Sequence, residues 1–206
     1  MLHAQIDVQE TPARRAAGER RQQLHDVATQ LFVNDGFAGV SMRQLSDQLG
    51  LYPGSLYAHF ESKQSLLFEL IRDPLEDLLG DTEHRVGLAR NAKQALREFI
   101  ACHIEFQVHQ RHRALLLNLE LRCLEPGYRS EVDTLLRRYR QCLANILKTA
   151  PSKGPNGQQS ISVSVQSILG MLFSVAHWFD DGQTLDASAL TAQYHRMILG
   201  ALQNYD

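Results

Sequence analysis

Three observations predict an all-α protein of about nine helices. Apolar residues recur at offsets of three and four in one segment after another, the mark of a helical stripe. No stretch of useful length alternates apolar and polar residues as a strand does, and no internal repeat is present. Clusters of Gly, Pro, Asn and Asp separate the periodic segments at helix-length intervals. The 206 residues, 44% apolar and 21% charged, are ordinary for a soluble globular protein. They exclude a collagen-like, mucin-like or wholly disordered chain.

Residues 1–13 are polar and aperiodic and are expected to be flexible. From Arg20 a helix begins, with Leu24, Val27, Ala28, Leu31 and Phe32 on one stripe. Asn34-Asp35-Gly36 stops it, Gly36 suiting the left-handed position after a helix. Ser41 opens a second helix: its hydroxyl caps, and Gln44 three residues on reaches back, the capping-box spacing. Met42, Leu45 and Leu49 form the inner face, and Gly50 ends it. A third helix runs from about Tyr52-Pro53 to His59. The fourth starts at Ser62-Lys63 and continues through Leu66, Leu67, Leu70 and Ile71. Asp73-Pro74-Leu75-Glu76 predicts a kink or restart there, with Asp as cap, Pro at the first position and Glu at the third.

Beyond a polar stretch from Gly80 to Gly87, Ala92, Ala95, Leu96, Phe99, His103 and Phe106 make one helix face. The next helix spans Arg113 to Cys123. After Glu125-Pro126-Gly127, Val132, Leu135, Leu136, Tyr139, Leu143 and Ile146 give a long amphipathic helix. Pro151 to Gly157 is a loop rich in breakers. Ser160 to Phe179 is apolar on every side, and a helix of that kind is expected to be buried all round. Asp180-Asp181-Gly182 ends it. The last helix carries Leu190, Tyr194, Met197, Ile198, Ala201, Leu202 and Tyr205 on one stripe. The longest uncharged apolar stretch, Ile168 to Phe179, reads as too short for a bilayer span, so no membrane partner is expected.

The second and third helices, joined by the tight turn at Gly50, have helix-turn-helix spacing, in which one helix braces and the next lies in a DNA major groove. The string LFVNDGFAGVSMRQLSDQLGLYPGSLYAHFESKQSL resembles the DNA-binding signature of the TetR family of bacterial regulators. The matching positions include Ala28, Phe32, Gly36-Phe37, Ser41-Met42, Leu45, Leu49-Gly50, Gly54-Ser55-Leu56-Tyr57, His59-Phe60 and Ser62 to Leu66. The resemblance implies a three-helix DNA-binding head over 14–63 and a helical ligand-binding and dimerisation domain over 64–206. It further implies a dimeric repressor that leaves a double-stranded DNA operator when a small effector binds; a cytoplasmic location is expected from the three unpaired cysteines and from an N-terminal stretch without an apolar signal core.

The residue chemistry fits those roles. Ser41, with the backbone N–H groups behind it, can hold a phosphate. Arg43 and Gln44 project from the same helix and can reach base edges or phosphates. Tyr52, Pro53, Ser55 and Tyr57 are expected to face the groove, with Tyr57 and His59 matching the family's phosphate contacts. Lys63 adds a charge at the next helix start, while Leu56 and Phe60 point inward. Tyr52 departs from the family's usual Ser or Thr cap, so that cap is weak.

Charge is distributed unevenly. The chain carries 21 Lys+Arg and 23 Asp+Glu, net −2. Residues 1–63 hold six cations and seven acids, yet residues 11–21 set Arg14, Arg15, Arg20 and Arg21 against Glu19 alone. This stretch reads either as an arm reaching the minor groove or as a solvated tail.

The candidate effector pocket comprises Phe99, His103, Phe106, Leu119, Tyr139, Phe173, His177 and Trp178, an apolar set with a few polar tips that suits a small lipophilic ligand. Ordinary core packing is the other reading. Seven arginines between 111 and 140 outnumber four acids there, either as a seat for an anionic head group or as a solvated surface. Residues 169–202 are similar to the C-terminal domains of TetR-family regulators that bind acyl-CoA thioesters, which implies an acyl-CoA or fatty-acid-like effector. The Ser160 helix and the last helix are expected to pair with their copies in a homodimer, the alternative being a central core helix in a monomer.

Cys102, Cys123 and Cys142 form no C-x-x-C pair and read as free thiols. Cys102-His103, His109 and His112 raise a metal-responsive regulator, but no metal-ligand spacing supports it. No nucleophile elbow or phosphate-cradling glycine loop is present, so neither an enzyme nor a cofactor is expected. An all-helical small-molecule binding protein is the rival class.

Overall fold

In the computed structural model, which describes residues 12–149, 157–179 and 186–203, every described element is helical. The order is α1 (Pro12–Asp35), α2 (Met42–Gln48), α3 (Pro53–Tyr57), α4 (Lys63–Gly87), α5 (Ala92–His109), α6 (Arg111–Glu120), a 3₁₀ turn (Leu121–Cys123), α7 (Pro126–Thr149), α8 (Gly157–Phe173), α9 (Val175–Trp178) and α10 (Ala187–Gln203). Of the segment 1–13 expected to be flexible, residues 1–11 lie outside the described residues, as do the loop at Pro151, the Asp180-Asp181-Gly182 stop and Tyr205; Pro12 and Ala13 instead belong to α1, whose first turn can take a proline.

Local signals set most boundaries. Gly36 and Gly50 adopt φ values of 74° and 62°, which a Cβ would oppose, and so end α1 and α2. Ser41 Oγ accepts from the Gln44 N–H at 3.2 Å while Gln44 Oε1 accepts from the Ser41 N–H at 2.7 Å, completing the predicted capping box. Ser62 and Ser65 cap α4 in the same reciprocal way, and Asn91 caps α5.

Two of the expected breaks fall elsewhere. α4 runs unbroken through Pro74, so the restart predicted at Asp73 does not occur. Leu70, Ile71, Pro74, Leu75 and Leu78 are all buried, one continuous stripe on both sides of the proline. Tertiary packing along that stripe outweighs the lost N–H of Pro74. Asp73, the expected cap, spends its carboxylate on Arg72 Nε at 2.8 Å. Conversely, the helix predicted over Ser160–Phe179 is interrupted at Ser174, which separates α8 from α9.

That apolar segment is not buried all round, contrary to the expectation. Val165, Ile168, Leu169 and Leu172 face the core, but Val163 is 57% exposed and Ser162, Gln166, Ser167 and Gly170 lie on the outer side. On α10, Met197 is 50% exposed beside Arg196 and Ala201. From Ile161 to Trp178 the segment holds 18 residues at mean hydropathy 1.4, long and apolar enough by composition to cross a membrane. This stretch begins seven residues ahead of Ile168 and is longer than the expected one; in the fold the Ser174 break divides it.

Two apolar clusters hold the molecule together. The first joins Leu24, Ala28, Phe32, Leu45, Leu56, Phe60 and Leu67 of the first four helices to Leu116, Leu117, Leu124, Val132 and Leu136 of α6, α7 and the turn between them. The second fills the space among α4, α5, α7, α8 and α10 around Phe99, Ile100, Ile104, Tyr139, Leu143 and Leu172. α4 contributes to both, so it mechanically connects the two ends.

Candidate nucleic-acid interface and effector core

The α2–α3 pair presents its polar side chains outward on a braced base. Leu45 and Leu56 are fully buried and Phe60 is 2% exposed, so the faces opposite them point to solvent. Arg43, Gln44, Ser55 and His59 are exposed, as are Tyr52 at 85% and Tyr57 at 55%. Two aromatic rings held in water at such exposure are unusual, and a flat polyanionic partner with sugar and base surfaces would cover them. Tyr52 precedes α3 without a side-chain cap hydrogen bond, matching the weak cap expected. Pro53 occupies the first position of α3; its side chain lies outside the described residues. Ser41 uses its oxygen as an acceptor in the cap, leaving its O–H to donate outward. Gln44 likewise uses only Oε1, which leaves its NH₂ group facing solvent.

Lys63 is placed differently from the expectation. Its ammonium donates to the Phe37 carbonyl and lies over the Phe37 ring, 4.1 Å from the centroid. Burial lowers its pKa, opposed by the nearby Cys123 and Glu120. Lys63 therefore fastens the loop before α2 to the start of α4 rather than presenting a free charge. Its neighbour Gln64 spans the other way, donating to the Cys123 carbonyl at 2.9 Å and accepting from the Glu125 N–H at 3.2 Å. Two consecutive side chains thus fasten the head to the body.

The arginine arm is also corrected. α1 begins at Pro12, so Arg14, Arg15, Arg20 and Arg21 belong to a helix and not to an extended strand of chain. Arg21 pairs with Glu69 and stacks over Phe60 at 5.1 Å, which holds it against α4. Arg20 is exposed. The side chains of Arg14 and Arg15 lie outside the described residues.

In the body, the structure brings together five of the eight candidate pocket residues. Phe99, His103, Phe106 and Tyr139 are buried, and Phe173 packs edge-on to His103 with ring centroids 4.8 Å apart. Phe99 and Tyr139 lie at the same 4.8 Å. Leu119, His177 and Trp178 do not join them: all three are exposed, Leu119 at 39% and Trp178 at 42%. On their helices the inward positions are taken by Leu115, Leu116, Val175 and Ala176.

A thread of hydrogen bonds crosses this apolar core. The Ala176 N–H donates to Gln107 Oε1 at 3.2 Å, so Gln107 Nε2 faces His103 Nε2, also at 3.2 Å. An amide NH₂ donates, hence His103 Nε2 carries the lone pair and Nδ1–H donates to the Tyr139 hydroxyl at 2.8 Å. Burial alone pushes the His103 pKa down to about 3, whereas burial together with the neighbouring Cys102 and Cys142, opposed by Thr82, raises that of Tyr139 well above its usual value. The imidazole is neutral at any physiological pH. Beside the Tyr139 phenol and the Cys102 thiol lies Thr82, fully buried, its hydroxyl close enough to both to lower their pKa values against the effect of burial. Gln107 and Thr82 escaped sequence reasoning. The signal for Gln107 was its position four residues after His103, on the same apolar face of α5; no sequence signal marks Thr82.

The arginine-rich stretch 111–140 does not form one patch. Arg129 pairs with Asp133 at 3.0 Å and Arg138 with Glu83 at 3.0 Å. Arg111 and Arg113 stand apart, Arg111 on the Ala176 carbonyl of α9 at 2.9 Å and Arg113 reaching Asp26 of α1 at 3.4 Å. Among the described residues no group of three or more His, Cys, Asp or Glu side chains is arranged to hold a metal ion.

Comparison with known proteins matches both ends of the chain. Residues 24–70 fit the family described as bacterial regulatory proteins, tetR family, and residues 89–202 fit the tetracyclin repressor-like C-terminal domain. The transcriptional repressor KstR2 of Rhodococcus jostii is 25% identical over 189 residues, covering 89% of this chain and 91% of its own. Among solved structures, the ketosteroid transcriptional regulator KstR2 of Mycobacterium tuberculosis superposes with a TM-score of 0.81 at 22% identity, over 90% of this chain and 95% of that one. FadR of Bacillus subtilis, solved with stearoyl-CoA, gives 0.67 at 21% identity, over 89% and 100%. With an exposed recognition helix on a buried brace, a helical body behind it and family matches over both, the chain belongs to the TetR family of bacterial transcriptional regulators.

Proposed function

We propose that this chain is a cytoplasmic, homodimeric repressor, released from its operator by a lipophilic effector that carries a neutral carbonyl. The observation that carries the effector class is the polar thread in the second core. The Tyr139 phenol accepts from His103, which leaves its own O–H, with the Thr82 hydroxyl beside it, to donate to a carbonyl oxygen. No lysine or arginine is buried among the described residues, so a carboxylate there would lack a counter-charge. An acyl-CoA thioester satisfies both conditions and a free fatty acid does not. The stearoyl-CoA bound by FadR and the likeness to the ketosteroid transcriptional regulator KstR2 support a lipophilic acyl or ketone-bearing molecule.

DNA contact falls to Ser41, Arg43, Gln44, Tyr52, Pro53, Ser55, Tyr57 and His59, with the α1 arginines flanking them. The effector, seated among Phe99, His103, Tyr139 and Phe173, wedges α5 from α7 and moves α4, which belongs to both cores. Only a difference in its affinity for the two positions of α4 is needed. The test is operator binding by the purified protein, titrated in parallel with a long-chain acyl-CoA, the free fatty acid and a steroid ketone. Release by either carbonyl compound at concentrations where the free acid has no effect is expected; release by the free acid alone defeats this reading.

The dimer reading rests on the outward apolar residues Val163 of α8 and Met197 of α10. Charged substitutions there, Val163→Glu with Met197→Glu, bury two unpaired carboxylates per protomer in a dimer and cost a monomer nothing. Sedimentation is expected to show a dimer for the parent and a folded monomer for the variant, with operator affinity lost because half-sites must be engaged in pairs. An unchanged dimer would place the interface elsewhere.

A further inference from the structure

Hydrogen bonds have a direction, and the thread through the second apolar cluster runs one way only. It starts at the Ala176 N–H of α9, a group that can only donate, which turns Gln107 Oε1 toward α9 at 3.2 Å. Gln107 Nε2 then donates to His103 Nε2 at 3.2 Å, and His103 Nδ1–H donates to the Tyr139 hydroxyl at 2.8 Å. Each side chain is enclosed: Gln107 and His103 are fully buried and Tyr139 is 1% exposed. None of them can trade its partner for bulk water, so each bond is fixed by the one before it.

The thread ends on Tyr139. Its oxygen accepts from His103, which leaves the phenolic O–H to donate onward. The Phe99 ring packs on the phenol at 4.8 Å, and the Thr82 hydroxyl of α4 stands beside it. A neutral imidazole has a second tautomer, protonated on Nε2 with the lone pair on Nδ1. In that form Nδ1 would take the Tyr139 proton, and the phenol would turn from a donor into an acceptor toward any neighbour. The Gln107 NH₂ group opposes that tautomer, because it would face a second N–H across 3.2 Å.

We propose, on the reading of this core as the effector site, that Gln107 is a positioning residue that sets the hydrogen-bond polarity of the core and so its preference for a carbonyl over the alcohol of the same skeleton. Gln107 acts through His103 and Tyr139 and makes no contact with the effector. A ketone or thioester oxygen takes the phenolic proton and brings none of its own. An alcohol oxygen takes it as well, but its own O–H must then be housed in the same apolar enclosure, where an unpartnered donor is costly. The Thr82 hydroxyl that could receive it already stands against the phenol and the Cys102 thiol.

Two measurements on the full-length protein test this. Nitrogen NMR of histidine-labelled protein reads the His103 tautomer with no ligand present, its signals identified by their absence from His103→Gln. A single neutral tautomer protonated on Nδ1 is expected in the parent, and a mixture in Gln107→Met, which keeps the side-chain length and removes the amide. Operator release is then titrated with a sixteen-carbon methyl ketone and with the secondary alcohol of the same skeleton. The parent is expected to respond to the ketone at a concentration lower by about fivefold or more. Gln107→Met is expected to bring that ratio close to one, as is Tyr139→Phe, which retains the ring against Phe99. Loosened packing alone would weaken both compounds together and leave the ratio as it was. A parent protonated on Nε2, the same single tautomer in Gln107→Met, no ketone preference in the parent, or a ratio that Gln107→Met leaves unchanged overturns the proposal. Failure of both compounds to release the parent defeats the effector reading itself and the specificity that rests on it, whereas the NMR outcomes bear on Gln107 alone.

Discussion

Lowering the pH from 7 to 5 is expected to cost about 2 kcal/mol of stability through His103 alone, and His103→Gln is expected to remove that loss. The sign follows from the folded pKa lying below the ordinary one, at about 3 against 6.5. Above pH 6.5 neither state binds the proton and the histidine contributes no penalty. As the pH falls below 6.5 the unfolded chain takes up a proton that the folded chain refuses, so stability drops continuously toward pH 3. The refusal has a geometric cause besides burial. Protonation would place a second imidazole N–H against the Gln107 NH₂ group, and turning that amide over would break its bond to the Ala176 N–H. Urea unfolding of both proteins at pH 7, 6 and 5 measures the effect. Glutamine lowers stability at pH 7 as well, so the informative quantity is the slope with pH. His25 and His195 also have lowered pKa values and leave a residual slope of the same sign in the variant. Equal slopes in the two proteins would mean that the His103 site admits water and a proton.

The second large effect concerns DNA. Combining Arg43→Ala with Tyr57→Phe is expected to weaken operator binding by about a thousandfold or more. Each removes one donor per protomer, and twofold symmetry doubles the loss to four contacts at about 1–1.5 kcal/mol each. Both side chains are exposed and neither has a structural hydrogen bond or ion pair among the described residues, so the fold should be undisturbed. Binding to operator and to random DNA over a range of salt concentrations distinguishes their roles. A phosphate contact by Arg43 lowers both affinities and flattens the salt dependence by about one counterion per protomer, whereas a base contact lowers the operator-to-random ratio. Unchanged operator affinity would remove α2 and α3 from the interface.

These two predictions differ in where their information came from. The outward placement of Arg43 and Tyr57 on the helix-turn-helix is legible in the sequence, because the capping box of Ser41 and Gln44, the turn at Gly50 and the buried spacing of Leu45 and Leu56 are local features. Each is set by residues within four or five positions of one another, which is the range over which a helix writes its own pattern. His103 was legible as a pocket candidate but not as a neutral, non-titrating one. Its state depends on Tyr139 and Ala176, which lie 36 and 73 positions away along the chain.

The misread elements share that character. Pro74 looked like a helix start because Asp73 and Glu76 are well placed for one; the buried stripe on either side of it, assembled from both cores, keeps α4 intact. Lys63 read as a free cation and Arg21 as part of an arm until the Phe37 carbonyl and Glu69 were brought to them. Thr29 carried no signal at all, since a threonine on a helix is unremarkable until its hydroxyl is enclosed without a partner. The caps, the helix-turn-helix of the head and the apolar stripes of most helices follow from the amino-acid order, because they rest on short-range geometry and on which side chains avoid water; the continuity of α4 and the break at Ser174 do not. Which charges are spent, which polar groups stay unsatisfied and which apolar face is left outside follow from folding, because each depends on a partner supplied by a distant part of the chain.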